Sequence, residues 1–197
     1  MSNVTLPATG SGSATPVVET STNIDGSNRQ VISVAGLTTV VVSTLTVSTA
    51  SAYTAGQVVG GLFQVPNAVR NQNAINSGVL QNVVLVSRSS QAQIEMDLFL
   101  FASTLSAQST FSDTKAPCLA SGDVGKLLGR FPLVEVDAAT IGSTTGGFYT
   151  TWQANSLTHA FNLSSGITSL YGSLVTKGTP SFLTASDLVL SVGIKND

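Results

Sequence analysis

Charged side chains are scarce in this sequence. They make up 9% of its 197 residues, against about a quarter in typical globular chains. The eight basic residues are spread along the chain with no two adjacent, whereas phosphate binding needs clustered lysine and arginine. We therefore expect no direct nucleic-acid partner.

Cysteine and histidine each occur once, as Cys118 and His159. A single cysteine excludes an intrachain disulfide framework and a multi-cysteine metal site, and we expect Cys118 to be a small buried thiol. Nucleophilic catalysis needs a base beside the nucleophile, but nothing around His159 resembles a nucleophile elbow, and a Cys118–His159 dyad stays open without a local signature. We predict a strand-surface histidine and a protein with no enzymatic activity, cofactor, metal or small-molecule substrate.

Long apolar runs and an export signal are also lacking. No stretch approaches the ~18 apolar residues of a transmembrane helix, so we expect no membrane partner. The N-terminal sequence MSNVTLPATG has neither the basic region nor the apolar stretch of a signal peptide. We expect synthesis in the cytoplasm of the producing cell.

Hydroxyl side chains take the place of the missing charges. Serine and threonine account for about a quarter of the chain, and the net charge is only −2. Hydroxyl and amide groups can be buried against another protein at lower cost than ionised groups, and a low net charge gives little repulsion between copies. This composition favours a subunit of a protein assembly; the alternative is a secreted or merely hydroxyl-rich β protein.

The first 30 residues differ from the rest of the chain. They are rich in Ser, Thr, Gly and Pro and poor in large apolar residues, so they cannot bury enough surface to order themselves. We predict two regions, an extended N-terminal arm over 1–30 and a β-sandwich domain over 31–197. We expect the arm to lie along another subunit and to insert five apolar residues there, namely Val4, Leu6, Val17, Val18 and Ile24.

Beyond the arm, short segments dense in β-branched and alternating residues predict strands. These segments span 37–49, 79–87, 93–101, 131–136, 147–153, 157–163, 170–177 and 187–195. Turn signals separate them at Gly60-Gly61, Asn76–Gly78, Gly142–Gly147 and Gly178–Pro180. One short helix is predicted near 121–128. The sequence therefore predicts an all-β fold, a two-sheet sandwich or jelly roll.

Two strands alternate clearly enough to predict which face is buried. Side chains two apart in a strand share a face, so the buried faces are predicted to consist of Ile94, Met96, Leu98 and Leu100 in one strand and Leu188, Leu190, Val192 and Ile194 in the other.

Two acidic pairs have the same spacing, Glu95/Asp97 and Glu135/Asp137. On a regular strand each pair would place two carboxylates on one face, about 7 Å apart. Such a pair could serve glycoside hydrolysis or a calcium site. The alternative is a solvated or inter-subunit polar face, and the sequence leaves this choice open.

Several segments resemble a family of small structural proteins encoded by tailed bacteriophages. The ending LYGSLVTKGTPSFLTASDLVLSVGIKND, over 170–197, is similar to the family's strand, Gly-Thr-Pro turn, Ser-Asp-Leu step and final alternating strand. Upstream, Leu98–Phe101, Ser109–Asp113 and Ser121–Gly129 are similar to its aromatic strand, Phe-containing loop and acidic helical turn, and Val4–Ser13 resembles phage virion sequences. The family carries no catalytic residues to transfer.

The resemblance implies a β-sandwich in a phage virion. The first hypothesis is a capsid cement or decoration protein on the outer surface of the head, binding the major capsid protein and copies of itself, with trimers expected by analogy. The second is a tail, collar or fibre-base protein. A third, from another class, is a carbohydrate-binding or hydrolytic receptor module, for which Phe148–Trp152 is the candidate aromatic platform.

Overall fold

The computed structural model describes residues 18–22, 28–32, 38–69, 76–88, 94–140, 148–154 and 157–196. Strands dominate these ranges, and the predicted all-β class is confirmed. The chain divides into two compact units, 1–37 and 38–197, and each is described separately.

The first unit contains a small antiparallel pair. Strand β1 (Val18–Thr22) pairs with β2 (Asn28–Ile32), with Val18 opposite Ile32. The segment predicted as an extended arm, 1–30, thus contains β1 and the first three residues of β2, and its predicted boundary falls within β2. Val18 lies at the start of β1, whereas Val4, Leu6, Val17 and Ile24 lie outside the described residues. Their insertion into a partner stays a prediction, as does the boundary between 30 and 31.

The second unit is a nine-stranded antiparallel sheet. Its strands are β3 (Thr38–Leu45), β4 (Val58–Val65), β5 (Ser77–Ser87), β6 (Met96–Phe101), β7 (Leu127–Thr140), β8 (Phe148–Ala154), β9 (His159–Asn162), β10 (Leu170–Thr176) and β11 (Leu188–Asn196). A 3-10 helix over Ser121–Lys126 is the short helix that the sequence predicts.

The sheet is nearly closed, with the order β3-β11-β5-β8-β7-β6-β10-β4 and with β9 also paired to β5. Strand β7 joins its two halves: Leu127–Leu133 pairs with β6, and Val134–Thr140 pairs with β8. The sequence predicts a short strand at 131–136, but β7 has 14 residues because it spans both halves. The two layers of the predicted sandwich are therefore parts of one continuous sheet.

The hydrophobic core lies between these halves and contains both predicted faces. Leu188, Leu190, Val192 and Ile194 are buried, as are Met96, Leu98 and Leu100. The prediction is wrong for Ile94, which is only half-buried because it lies two residues before β6 begins.

Strand β4 is the strand of this unit that sequence reasoning missed. Gly60 and Gly61, predicted as a turn, lie within it and both adopt positive φ, 74° and 75°. Opposite them, the consecutive residues Ser173 and Leu174 of β10 pair with Leu62 and Val59. The two glycines therefore form a bulge, and glycine fits because it reaches this backbone region without a steric penalty.

The turn predicted at Asn76–Gly78 is also wrong, because Ser77 and Gly78 already belong to β5. Gly78 pairs with Phe161 of β9 on one side and with Asn196 of β11 on the other. A side chain here would come within 3.0 Å of the Phe161 ring, so this glycine allows a close approach of strands. The turn predicted at Gly142–Gly147 lies outside the described residues.

The connection between β6 and the 3-10 helix folds over the outer face of one sheet half. Phe111 from this connection packs on Phe101 with ring centroids 5.1 Å apart. Together with Val58 and Val175 they form a second apolar cluster, separate from the main core. The outer face of β6, β10 and β4 is thus covered by the chain's own loop.

Candidate interaction surface

The acidic pair Glu95/Asp97 contacts two cationic side chains of the same chain. Arg130 donates from Nη2 to Asp97 Oδ2 at 2.6 Å. Lys177 Nζ lies 3.1 Å from Glu95 Oε2 and 3.8 Å from Asp97 Oδ1. The two carboxylates are therefore neutralised within the sheet, and a bound cation would have to displace Arg130 or Lys177.

Asp97 is buried, at 6% relative exposure, which the sequence did not predict. It lies on the outer face of β6, as the alternation indicates, but Phe99 and Phe101 on that face pack under the loop cluster. Burial of a charge is costly unless it is paired, and Arg130 provides the pairing. The hydrogen bond from Arg130 to Asp97 raises the pKa of the Arg130 guanidinium.

The second acidic pair does not follow the regular alternation. Glu135 lies opposite Trp152 and Asp137 opposite Thr151. These partners are adjacent in β8, so Val136 is an extra, bulged residue between them. The same-face rule for residues two apart does not hold across such a bulge. Glu135 is exposed, and within the described residues no group of three or more metal-ligating side chains is present.

His159 and Cys118 lie in different parts of the fold. His159 is half-buried at the start of β9, with its ring edge-to-face against Phe131 at 5.5 Å between centroids. Cys118 pairs through its backbone with Thr110 in the loop after β6, and its thiol is exposed. The prediction of a buried thiol is wrong, because only the backbone of this loop segment takes part in the pairing. No contact between Cys118 and His159 is observed to support a catalytic dyad.

The candidate aromatic platform Phe148–Trp152 coincides with most of β8. Trp152 lies opposite Leu85 on one side and Glu135 on the other. The side chains of 148–152 lie outside the described part of the structure, so the platform stays a prediction.

The outer face of the other sheet half carries a different kind of surface. Its exposed or half-buried apolar side chains come from alternate residues of β3, β11, β5 and β7, and we call them the valine face: Val40, Val42, Val84, Val86, Val134 and Val189. The inward residues of the same strands, such as Leu190 and Leu85, are fully buried. Strand alternation thus places one set of side chains in the core and leaves the other set outside.

Strand register places three members of the valine face in one row, with Ser191 and Gln153 between them. Val42 lies opposite Ser191, and Ser191 lies opposite Val84. The same row continues through Gln153 of β8 to Val134 of β7. This row contains apolar, hydroxyl and amide groups and no ionisable side chain.

Exposure on this face is greatest at its β3 edge. Val40 and Val42 are each 62% exposed, although valine is among the residues most often buried. Apolar side chains that are exposed on one face of a folded protein indicate a candidate interaction site. We therefore regard the valine face as the candidate functional site.

The two end strands of the sheet, β3 and β4, differ in how their outer edges are protected. On β4, Val58 donates to the carbonyl of Lys115 at 2.8 Å and accepts from Thr114 N–H at 2.9 Å. The Gly60 N–H donates to the carboxylate of Asp113 at 2.7 Å. The loop over 111–115 therefore covers the edge of β4 with main-chain and side-chain hydrogen bonds.

Among the described strands, β3 pairs with β11. It pairs with β11 over all eight of its residues, without a register shift. Its described approach to β4 is at its C-terminal end, where a Cβ on Gly60 would lie 3.3 Å from the carbonyl oxygen of Thr46. No described strand pairs with its other edge.

No family model matches the sequence, and no curated protein matches it. Among the described residues, no helix is both long and apolar enough to cross a membrane.

Sequence reasoning identified the strand of β3 but not its role. The signal was present in the run Val40-Val41-Val42, because consecutive apolar residues in a strand must put apolar side chains on both faces. A strand of this kind is either buried on both sides or exposes apolar surface. Because Val40 and Val42 are exposed, β3 is a strand that exposes apolar surface.

Proposed function

We propose that the chain is a non-enzymatic structural protein of a phage virion, and specifically a cement or decoration protein on the outer surface of the head. It binds the major capsid protein and further copies of itself. The single observation that carries the structural role is the valine face, with Val40 and Val42 at 62% exposure. The sequence resemblance over 98–129 and 170–197 provides the phage setting.

The chemistry of the valine face suits burial against another protein. Its central row contains no ionised group, so binding removes water from apolar, hydroxyl and amide groups without desolvating a charge. The central row crosses five strands, a span of roughly 20 Å at ~4.8 Å between neighbouring strands. A standard interface buries ~800 Å² per partner, and in this proposal the valine face lies at the centre of one.

A cement protein works by adding buried area between neighbouring capsid subunits. Each contact that must be broken before two subunits separate raises the cost of expansion under internal pressure. In this proposal the rigid sheet presents the valine face to the shell. The N-terminal segment 1–30 lies along a second subunit, and Val4, Leu6, Val17, Val18 and Ile24 are its apolar contacts.

The copy number of the chain in purified virions tests this proposal. Quantitative mass spectrometry of purified particles should find the chain in hundreds of copies, whereas a dozen or fewer copies would place it in the tail or collar. Its absence from the particle would overturn the proposal.

Binding to undecorated heads tests the valine face itself. Val84→Glu adds a charge to the centre of this face and should greatly weaken binding to heads. Val124→Glu is the matched control, because Val124 is 56% exposed but lies on the 3-10 helix, away from the valine face. Equal binding by the two variants would mean that the valine face is not the contact.

Hydrogen exchange tests the role of the N-terminal segment. Fixing ~30 residues costs tens of kcal/mol in backbone entropy, so most of its amides should exchange rapidly in the free protein. They should become protected in assembled particles. Equal exchange in the two states would contradict the role of this segment as an anchor.

A further inference from the structure

The two halves of the sheet differ in what covers their outer faces. We call residues 102–120, which connect β6 to the 3-10 helix, the strap, and the outer face of β6, β10 and β4 together with the strap the strap face. Phe111 of the strap packs on Phe101 and Phe99, at 5.1 and 6.4 Å between ring centroids. Phe101 is fully buried as a result. The chain thus covers the aromatic side chains of this face without a partner.

The strap is held near its beginning and through its middle by contacts within the chain. Ser106 and Ser109 donate their hydroxyl hydrogens to Asp123 at 2.7 and 2.6 Å. Thr110 and Cys118 exchange two main-chain hydrogen bonds, at 2.7 and 2.8 Å. The conformation of the strap is therefore set in the free chain and does not depend on docking.

Charged residues are concentrated on the same half of the second unit. Those on or beside the strap face are Glu95, Asp97, Asp113, Lys115, Asp123, Lys126, Arg130 and Lys177. The strands of the other half, from β3 through β11, β5, β9 and β8 to the second part of β7, contain only Glu135, Asp137 and Lys195, with Arg88 and Asp187 next to their ends. None of these lies in the central row of the valine face, from Val42 to Val134.

This distribution makes one face costlier to bury than the other. The side chains of Arg130, Glu95 and Lys177 are 57%, 50% and 37% exposed. A partner on the strap face would take these ions out of water, and a buried ion pair recovers its lost hydration only with excellent geometry. A partner on the valine face covers a row without an ionised group. Charge therefore favours the strap face as the side that stays in water.

The two faces lie on opposite sides of the hydrophobic core. Leu98 of β6 and Leu190 of β11 belong to one core cluster, so the inner faces of the two halves face each other. Strand alternation places their neighbours Phe99 and Val189 on the outer faces, pointing away from the core. A partner surface seated on the valine face thus leaves the strap face open.

We propose that this chain docks with its valine face on the partner and its strap face towards solvent, so that the strap forms part of the exterior surface of the assembled particle. The inference rests on the proposed function for the identity of the partner and adds the orientation of the chain on it. The strap is then a segment at which the particle can be chemically modified without weakening attachment of the chain.

Thiol labelling of the full-length chain, free and bound to undecorated heads, tests this orientation. The native Cys118 is an exposed thiol of the strap. In a Cys118→Ser background, Val42→Cys and Val134→Cys place single thiols at the two ends of the central row of the valine face. Valine and cysteine are both small and apolar, so these variants should still bind, and two positions guard against the failure of one.

We expect the rate of maleimide labelling at Cys118 to change by less than about twofold on binding, because labelling follows exposure of the thiol. The two valine-face thiols should react at least about tenfold more slowly when bound, because the centre of a packed interface excludes water. Protection of Cys118 on heads, with the valine-face thiols also protected, would overturn the orientation and leave the valine-face contact standing. Valine-face thiols that label equally fast in both states would overturn the contact and the orientation together, as would failure of the chain to bind heads.

An added charge on the strap provides a second test that needs no labelling. Ala116 is exposed in the strap, and Ala116→Glu should bind heads within about twofold of the unsubstituted chain, because surface changes away from a contact have small effects. Val84→Glu, at the centre of the valine face, should weaken binding greatly. A loss of binding by Ala116→Glu as large as that of Val84→Glu, with the fold intact, would show that the strap also contacts the partner.

Discussion

The carboxylate of Asp113 accepts a hydrogen bond from the backbone N–H of Gly60 at 2.7 Å, across 53 residues of sequence. The same oxygen accepts the hydroxyl hydrogen of Tyr53, also at 2.7 Å. Tyr53 in turn accepts from the Ser48 N–H, and its pKa is raised because the ring is buried and its hydroxyl donates to Asp113. One carboxylate thus fixes the bulge that the sequence presented as a turn.

Asp113→Ala should lower the free energy of unfolding by about 2–4 kcal/mol, because two hydrogen bonds to a charged acceptor are lost. Urea unfolding of the full-length chain measures this change. Asp113→Asn keeps one acceptor oxygen and should lose less. An Ala variant as stable as the unsubstituted chain would mean that water replaces Asp113 without cost.

The buried faces of β6 and β11 make a prediction about packing. Leu98→Ala and Leu190→Ala should each destabilise the protein by about 2–5 kcal/mol, because both side chains are fully buried and truncation leaves a cavity. Val42→Ala removes apolar atoms from an exposed position of β3 and serves as the control, with a much smaller expected effect. Thermal unfolding at matched concentration measures all three. Unchanged melting midpoints for the two leucine variants would contradict the assignment of these faces to the core.

Asp123 makes a prediction about acid stability. Its carboxylate lies 2.8 Å from Lys126 Nζ and accepts from the hydroxyls of Ser106 and Ser109 at 2.7 and 2.6 Å. The contacts with Lys126 first, and then with the two serines, lower the pKa of Asp123. A lowered folded-state pKa stabilises the fold above the ordinary aspartate pKa of about 4 and loses this effect as the pH falls through the lowered value.

Unfolding of the unsubstituted chain and of Asp123→Asn at a series of pH values tests this effect. Asp123→Asn should be less stable at neutral pH, and the gap should shrink progressively below about pH 4. A gap that stays constant down to strongly acidic pH would show that charge on Asp123 is not what stabilises the loop.

The ion pairs of Glu95 and Asp97 lead to a prediction about stability and about polysaccharide cleavage. Because Arg130 and Lys177 hold these carboxylates in ion pairs, we expect the pair to stabilise the fold, and Asp97→Asn should lower the free energy of unfolding. We expect no release of reducing sugars from capsular polysaccharides by the unsubstituted protein. Polysaccharide cleavage that disappears in Glu95→Gln, with the fold intact, would contradict a purely structural role.

The sequence predicted the fold where a strand alternates against a single core. Leu188 to Ile194 follow this rule because β11 has a strand on each side, β3 and β5, pairs with β3 without a register shift, and turns one face inward. Strand alternation did not predict the burial of Asp97, because alternation assigns a side chain to one face of a strand but does not show what covers that face. Phe111, from a loop ten residues beyond β6, covers the apolar outer face on which Asp97 lies, and no local pattern encodes this long-range packing.

The candidate site was less accessible from sequence than the core. The composition predicted a surface that can be buried against another protein at low cost. Only the strand order shows that the apolar residues of β3, β5 and β11 share one outer face. The Gly60-Gly61 pair illustrates the same limit, because a turn and a bulge use the same residues. The pairing with Ser173 and Leu174 decides between them.

The pairing of β3 with β11 joins residues near the two ends of the domain, since Leu45 lies opposite Leu188 and Thr38 opposite Lys195. During synthesis β3 leaves the ribosome well before β11, the strand with which it pairs. Contacts so distant in sequence slow folding, because a long loop must close before they form. For that interval an uncharged, valine-rich strand lacks its pairing with β11 in a crowded polysome. We therefore expect the rate at which β11 docks to influence how much of this protein reaches its native form.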